Sequence, residues 1–206
     1  MEVMFRPAKP EDAEAAVPLV YSSGPLVFEY AFSHKTRITA KEYLYRVLQK
    51  PGGEFGYENH IVGVIDDQVV AAGAGFTGAT TFPFLKSAIK QIFTHYGFIQ
   101  GIQVCRRGLH IESVIKPPKG NLYYVSHLGV EPDMRGKGIG EKLVNHLLDK
   151  GREMGSTVAA LDVSVENPRA EALYTRMGFV TEKEMVSNYS NDTGRVMNHR
   201  RMVLDI

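Results

Sequence analysis

The clearest chemical signal in the sequence is a glycine-rich, basic segment, Arg135-Gly136-Lys137-Gly138-Ile139-Gly140, between a predicted strand and a predicted helix. The first amides of a helix have no acceptor inside the helix, and they lie at the positive end of its dipole. Glycines lack the Cβ atoms that would hold an anion away from those amides, and Arg135 and Lys137 add positive charge. The segment therefore predicts an anion-binding site, and a pyrophosphate is a suitable ligand.

Two other phosphate-binding patterns do not fit this segment. A P-loop needs a glycine five residues before its Gly-Lys pair and a serine or threonine after it, but Glu131 and Gly138 occupy those places. The dinucleotide pattern Gly-x-Gly-x-x-Gly has a different glycine spacing, and it is expected beside the first strand of a domain. The remaining alternative is a turn that only lets a helix pack on a sheet.

A second pattern follows about one strand and one helix later, with Asn167, Ala170, Tyr174 and Gly178-Phe179 as its spaced residues. The two patterns together resemble the GNAT superfamily of N-acetyltransferases. The signature of that family is Arg or Gln, two residues, Gly, one residue, then Gly or Ala. The similarity extends from about residue 122 to residue 182, and the first half of the chain resembles the family only in the order of its elements.

The resemblance implies that acetyl-CoA lies in a V-shaped opening between two parallel strands, predicted at Leu122 to Val130 and Thr157 to Val165, and that an amine attacks its thioester directly. The cofactor-binding residues that it implies are Leu128, Val130, Arg135, Gly136, Lys137, Gly138, Ile139, Gly140, Glu141 and Asn167. It also implies that Tyr174 protonates the departing thiolate, and such assistance typically contributes about 10²–10⁴-fold. The alternative for Tyr174 is a contact between a helix and the sheet.

The sequence leaves the general base open. Asp162 lies five residues before Asn167, where some members of the family carry a catalytic carboxylate. Histidine is the side chain whose ordinary pKa lies nearest to neutral pH, and His127 lies on the other strand of the opening. Strict alternation along the strand would place the side chain of His127 on the face of the sheet opposite to that of Tyr124. The β-bulge expected in the family at this strand would change which face His127 lies on. The amine could also lose its proton through a water chain, without any protein base, or more remotely to Glu112.

Composition limits the class of protein. The chain has 206 residues, of which 44% are hydrophobic and 23% charged, with a net charge of +1 and one cysteine. We expect a single domain over residues 1–206 with one sizeable core, no disulfide within the chain, and no nucleic-acid or membrane partner. The sequence has no apolar signal-peptide core and no run near the roughly 20 apolar residues of a membrane span, so we expect a cytoplasmic protein.

The elements around these motifs follow a mixed α/β order. Predicted strands lie at 3–6, 60–65, 69–76, 122–130, 157–165, from Phe179 onwards and at 201–204, and predicted helices begin at about residues 10, 39, 138 and 168. Thr39 and Glu42 predict a capping box. The fold class is therefore α/β of the mixed type, and the resemblance makes it a central, mixed, twisted sheet flanked by helices, in which splayed parallel strands hold CoA.

Residues 77–120 depart from the family pattern, in which the third strand passes quickly to the fourth. This insertion has helical spacing in its middle and is rich in aromatic residues, namely Phe82, Phe84, Phe93, Tyr96 and Phe98. Three interpretations of the insertion remain open: it covers the acceptor pocket, it forms a homodimer contact, or it adds a core helix. The sequence favours none of the three. Residues 26–46 are the other segment expected on the acceptor side.

These observations predict an enzyme that transfers an acetyl group from acetyl-CoA to a primary amine of a small molecule, without a metal. The nearest alternative is a protein acetyltransferase that acts on lysine or on amino-terminal amines. A non-catalytic CoA-binding module is the third interpretation, and the presence of Tyr174 counts against it.

Overall fold

The computed structural model describes residues 2–34 and 38–206. Seven strands form one sheet in the order β1-β2-β3-β4-β5-β7-β6. The strands are β1 (Met4–Pro7), β2 (His60–Ile65), β3 (Gln68–Phe76), β4 (Tyr123–Val130), β5 (Val158–Ser164), β6 (Val180–Met185) and β7 (His199–Asp205). The helices are α1 (Ala13–Ser22), α2 (Pro25–Phe32), α3 (Ala40–Leu48), α4 (Thr81–Val114), α5 (Ile139–Glu153) and α6 (Pro168–Arg176). The predicted mixed α/β class is confirmed, and the prediction of a single domain stays a prediction.

Among the strands of the described residues, only one neighbouring pair is parallel. The β4–β5 pair runs parallel, and the five other pairs run antiparallel. Strands β2 and β3 form an antiparallel hairpin, with Asp66 and Asp67 in the left-handed region at φ 47° and 61°. Two left-handed residues in sequence suit the right-handed twist of the flanking strands.

The capping box predicted at the start of α3 is also present. The Glu42 amide donates to Thr39 Oγ1 at 3.2 Å, and the Thr39 amide donates to Glu42 Oε2 at 2.7 Å. Helix α2, by contrast, is not predicted by the sequence, where Gly24-Pro25 indicates only a break. Proline is suited to the first turn of a helix, and α2 buries Phe28 and Tyr30, so tertiary packing stabilises a helix of only eight residues.

The helices cover the two faces of the sheet. On one face, α5 and α6 pack against a cluster that includes Val125, Leu143, Val144, Leu147, Leu161, Val163, Tyr174 and Phe179. On the other face, α1, α2 and α3 contribute to a second cluster that includes Val17, Leu19, Val20, Phe28, Leu44, Leu48, Val62 and Ala72. The opening between β4 and β5 therefore has α5 and α6 on one side and α1 to α3 on the other.

The insertion predicted at residues 77–120 contains α4, which is interrupted at Gly97 (φ +71°). Its inner residues Ile92, Tyr96 and Val104 pack with residues of and near α3, and Phe84 and Ile115 pack over Phe76 and Tyr124. The helix therefore extends the α1–α3 side of the sheet as a cover. Its outer face exposes Phe82, Phe98 and Ile99. Within the described residues, none of the helices combines the length and the apolar character that crossing a bilayer requires.

Candidate active site

The two parallel strands separate soon after they begin. Strands β4 and β5 pair only at Tyr123 with Ala159 and at Tyr124 with Ala160. Beyond these pairs, β4 continues to Val130 and β5 to Ser164 without further pairing between them. The V-shaped opening that the sequence implies is therefore present, at the carboxyl ends of both strands.

A bulge in β4 decides which way His127 points. Ala72 of β3 pairs with Gly129 and Ala74 pairs with Ser126, so β4 carries one extra residue at this position. His127 has φ +56°, and its ring stacks on Phe55 with centroids 4.8 Å apart. The bulge expected from the family is confirmed, and it places His127 on the side of the sheet that α2 covers, the side on which Tyr124 packs against the insertion.

The glycine-rich segment forms a cradle of backbone amides before α5. Gly136 and Gly138 adopt φ +81° and +77°, and a Cβ added at Gly138 would meet no atom within 4 Å. In the described parts of the chain, no hydrogen bond uses the amides of residues 136–141, and Lys142 is the first residue of the helix to donate back, to the Gly138 oxygen at 3.1 Å. Six free amides and an open space beside them fit the pyrophosphate of CoA.

Side chains at the mouth of the opening support the cradle. Arg135 Nε donates to the Val130 oxygen at 2.9 Å, and Lys137 Nζ lies 3.3 Å from Met134 Sδ. The Glu131 amide donates to the Val70 oxygen of β3 at 2.9 Å. Because backbone groups of successive residues in a strand point to opposite sides, the amide and the oxygen of Val130 face the opening. The predicted backbone contact of Val130 is therefore available through its amide, because Arg135 binds its oxygen. The Leu128 side chain packs with the α5-side core.

Asn167 and Tyr174 lie on α6. Asn167 Oδ1 accepts a hydrogen bond from the Ala170 amide at 3.1 Å, which caps the helix. Tyr174 is 9% exposed, and burial raises the pKa of its hydroxyl to about 12. Within residues 2–34 and 38–206, no hydrogen bond joins this hydroxyl to a protein group. Tyr174 therefore keeps its proton at neutral pH and has a donor that is not engaged by the described protein.

Asp162, the carboxylate candidate on β5, is fully engaged in the protein interior. Its side chain is 1% exposed, and it pairs with Arg201 through Nη2 at 2.7 Å and Nε at 3.2 Å. The Tyr124 hydroxyl donates to Asp162 Oδ2 at 2.8 Å, and Arg201 Nη2 also donates to the Lys116 oxygen at 2.5 Å. The carboxylate therefore links β4, β5 and β7, and Arg201 continues the link to the end of the insertion.

His127 belongs to a chain of polar contacts that crosses three segments. His127 Nδ1 lies 3.2 Å from His60 Nε2, and His60 Nδ1 lies 3.0 Å from the Gly56 oxygen. On its other side, His127 Nε2 lies 3.4 Å from Glu54 Oε1. Complete burial, with a smaller effect of His127, lowers the pKa of His60 to about 3. No local sequence signal could have identified His60 or Glu54, because they join His127 only through the fold.

Glu112, the remaining candidate for the general base, lies at the edge of the group formed by His127, His60 and Glu54. Burial and, to a lesser extent, the charge of Glu54 raise the pKa of Glu112 on α4. Both carboxylates therefore lie on the side of the sheet that α2 covers, and Glu54 is the one in contact with His127.

The loop of residues 186–198 crosses α2 on the same side. The Arg195 amide donates to the Leu26 oxygen at 3.1 Å, Thr193 Oγ1 donates to the Glu29 oxygen at 2.9 Å, and Asn191 Nδ2 donates to the Tyr30 oxygen at 3.0 Å. A cavity of about 320 Å³ lies beside this crossing, lined by Ser33, His34, Arg107, Asn191, Asp192 and Thr193. None of the predicted site residues lines it.

Sequence comparisons find acetyltransferases. The chain is 29% identical to N-alpha-acetyltransferase MAK3 of Arabidopsis thaliana over 131 residues, which cover 64% of this chain and 65% of that protein. It is 30% identical to thialysine N-epsilon-acetyltransferase of Bos taurus over 117 residues, which cover 57% of this chain and 65% of that protein. The chain thus spans less than two thirds of the length of these curated relatives.

Solved structures show the same fold. An N-acetyltransferase from Staphylococcus aureus Mu50 superposes with a TM-score of 0.66 at 18% identity, covering 98% of this chain and 100% of that one. The structure of yncA, a putative acetyltransferase from Salmonella typhimurium with its cofactor acetyl-CoA, superposes with a TM-score of 0.57 at 16% identity, covering 100% and 94%. The model of the acetyltransferase (GNAT) family matches residues 28–179. With the splayed strands and the amide cradle inside that range, the chain belongs to the GNAT family of acetyltransferases.

Proposed function

We propose that this protein transfers the acetyl group of acetyl-CoA to a primary amine of a small molecule. The observation that carries the proposal is the β4–β5 opening, which has an amide cradle at its mouth and a buried histidine on its acceptor side. When acetyl-CoA is bound, it supplies an acetyl thioester that an amine can attack. The protein residues bind and orient the cofactor, and they accept and donate the protons of the reaction.

The cradle and its neighbours hold the cofactor in this proposal. The amides of residues 136–141 bind the pyrophosphate, and the positive φ of Gly136 and Gly138 lets consecutive amides point the same way. The Val130 amide pairs with the pantetheine arm. The Asn167 oxygen caps α6, so its amide nitrogen is the atom left for the cofactor.

His127 is the proton acceptor in this proposal. Its Nε2 faces Glu54, on the side of the sheet that α2 covers, and a neutral imidazole can take the proton that the amine must lose. Asp162 is a weaker choice because both of its oxygens are committed to Arg201 and Tyr124. A carboxylate held in this way stabilises the strands rather than accepting a proton from the acceptor.

Tyr174 is the proposed donor to the thiolate. Its pKa of about 12 lies above the roughly 8.5 of an ordinary thiol. The hydroxyl therefore stabilises the thiolate mainly as a hydrogen-bond donor, and full proton transfer is uphill until the surroundings change. The Tyr174 hydroxyl can donate this hydrogen bond without breaking another one, because it has none to the described residues.

Cover over the acceptor side supports a small-molecule acceptor. Helix α4 packs over Phe76 and Tyr124, and the loop of residues 186–198 is tied to α2 by three hydrogen bonds. A protein amino terminus is the second candidate, favoured by the relative named N-alpha-acetyltransferase MAK3. A peptide acceptor needs an open groove across this side, and the cover leaves less room for one.

Thermal unfolding with and without acetyl-CoA tests the cofactor first. At about 100 times the dissociation constant, binding adds about 2.7 kcal/mol to the free energy of unfolding. For a chain of this length the melting temperature rises by roughly 5–11 °C. The same rise with ATP or NAD, or no rise with acetyl-CoA, contradicts the assigned cradle.

A panel of amines then tests the acceptor. We expect release of free CoA thiol with small primary amines, and none with the same amines acetylated beforehand as the matched control. Faster turnover with short peptides that carry a free amino terminus would replace the small-molecule acceptor by a protein one.

A further inference from the structure

A buried histidine outside the proposed reaction contacts the proposed base. His60 is 0% exposed at the start of β2. Its ring lies nearly parallel to that of His127, with centroids 5.3 Å apart and an interplanar angle of 11°. Each of its two nitrogens has one partner, the Gly56 oxygen for Nδ1 and His127 for Nε2.

The positions of the protons follow from these partners. A carbonyl oxygen only accepts hydrogen bonds, so His60 Nδ1 carries the proton that is donated to Gly56. Burial keeps His60 neutral, which leaves Nε2 as an acceptor. His127 Nδ1 lies 3.2 Å from that acceptor and must therefore carry a proton. In its neutral form, His127 then has its lone pair on Nε2.

The other side of His127 suits a positive charge. Glu54 Oε1 lies 3.4 Å from Nε2 and its side chain is 42% exposed. Among residues 2–34 and 38–206, the titratable groups in contact with His127 are His60 from β2 and Glu54 from the segment after α3. Helix α2 presents the apolar ring of Phe28, and Glu112 of α4 acts on Glu54. A proton gained at Nε2 therefore faces a carboxylate.

We propose that His60 is a positioning residue that fixes the tautomer of His127, so that Nε2 is the atom that accepts the proton of the acceptor amine. The proposal rests on the acetyl transfer proposed above. As the amine nitrogen bonds to the acetyl carbon, the carbon–sulfur bond of the thioester breaks and CoA leaves as its thiolate. The proton of the amine moves to His127 Nε2, while the Nδ1 proton stays in its hydrogen bond to His60. Solvent removes the added proton after the product leaves.

Two substitutions of His60 separate positioning from packing. His60→Gln keeps an amide that can donate to the Gly56 oxygen and an oxygen that can accept from His127. His60→Met fills similar space but offers no comparable acceptor, so the tautomer with the proton on Nε2, directed at Glu54, becomes favoured. His199→Met is the matched control, since His199 is also buried and also contacts a backbone oxygen, that of Met197, at 2.8 Å.

The tautomer can be read without any substrate. Imidazole ¹⁵N chemical shifts of the full chain, assigned to His127 with His127→Gln, are expected to show protonated Nδ1 in the wild type, in His60→Gln and in His199→Met. His60→Met is expected to move the proton to Nε2. An unchanged His127 tautomer in His60→Met overturns the proposal, even if that variant is less stable.

Kinetics add a second readout. We expect His60→Met to lower kcat by about 10²-fold with little change in KM for acetyl-CoA. We also expect it to abolish the acidic limb of the pH–rate profile. His60→Gln should recover most of kcat and keep that limb. Equal losses in both variants contradict positioning. If the wild type transfers no acetyl group to any amine, the proposed function fails, whereas the ¹⁵N shifts still decide the tautomer.

Discussion

The proposed cofactor side and the proposed acceptor side of the β4–β5 opening are built in different ways. On the cofactor side, six amides come from the contiguous residues 136–141, and two left-handed glycines orient them. On the acceptor side, His127, His60 and Glu54 come from three distant segments and meet only because a bulge turns His127 towards α2. The proposed anion cradle therefore depends on local backbone conformation, whereas the proposed base depends on long-range packing.

The strongest challenge to the cofactor side is Gly138→Val. The new side chain would project into the open space of the cradle, at a φ of +77° that valine tolerates poorly. Loss of two charge-assisted hydrogen bonds, each about 1.5–3 kcal/mol, predicts a fall in acetyl-CoA affinity of about 10²–10⁴-fold by calorimetry. Gly120→Val is the matched control, because Gly120 also has a positive φ and an open surrounding. Equal losses of affinity in both variants would show that backbone strain, not the cradle, is responsible.

The acceptor side should respond to acid through His60. Its folded-state pKa of about 3 lies below the ordinary value near 6.5, so the unfolded chain binds a proton first. The contribution of neutral His60 to the free energy of unfolding is therefore fully present above pH 6.5 and is lost as the pH falls towards 3. This loss is on the order of 4 kcal/mol. Urea unfolding at several pH values should show a smaller loss for His60→Gln. The same slope in both proteins would mean that other groups cause the acid response.

Asp162→Asn tests whether the β5 carboxylate is structural. Because it removes one partner of a buried ion pair, we expect a loss of about 3 kcal/mol of stability in chemical unfolding, with the acidic limb of the pH–rate profile retained. Asp149→Asn is the control, since Asp149 pairs with Arg152 on the surface and should cost less than about 1 kcal/mol. Disappearance of the acidic limb in Asp162→Asn would make Asp162 the base and remove His127 from that position.

Tyr174→Phe probes the cofactor side without altering the cradle. We expect kcat to fall by about 10²-fold, while acetyl-CoA affinity changes little, because only the hydroxyl that is proposed to donate to the thiolate is lost. Tyr123→Phe is a buried control on β4, with a hydroxyl whose pKa burial also raises to about 12, and it should leave kcat unchanged. Normal turnover in Tyr174→Phe would show that the thiolate has another proton source.

The smallest effect is expected on the outer face of α4. Phe98 is 74% exposed, so Phe98→Gln should change stability by no more than about 0.5 kcal/mol. Tyr96→Leu, on the inner face of the same helix, removes the hydroxyl that donates to the Phe32 oxygen at 2.6 Å, which should cost more. If Phe98→Gln instead lowers stability and shifts the sedimentation profile, α4 forms the homodimer contact.

The sequence predicted the elements of the cofactor side closely. Strand β4 lies within one residue of its predicted bounds, and helices α5 and α6 begin within one residue of their predicted starts. Their signals are local: glycines that permit left-handed backbone, and apolar residues at helical spacing. Helix α2 lacked such a signal, since its eight residues are stabilised by contacts with distant segments. The cellular compartment and the acceptor stay predictions.

By itself, the sequence determined the glycine-rich turn of residues 136–141, the family and the position of Tyr174 on α6, because each depends on residue types at short, fixed spacing. The tertiary structure alone decided which partners each candidate base has. It committed Asp162 to Arg201 and Tyr124, and it joined His127 to His60 and Glu54. The physical reason is that a proton acceptor is defined by its partners, and partners more than 60 residues apart in the chain meet only when the sheet has formed.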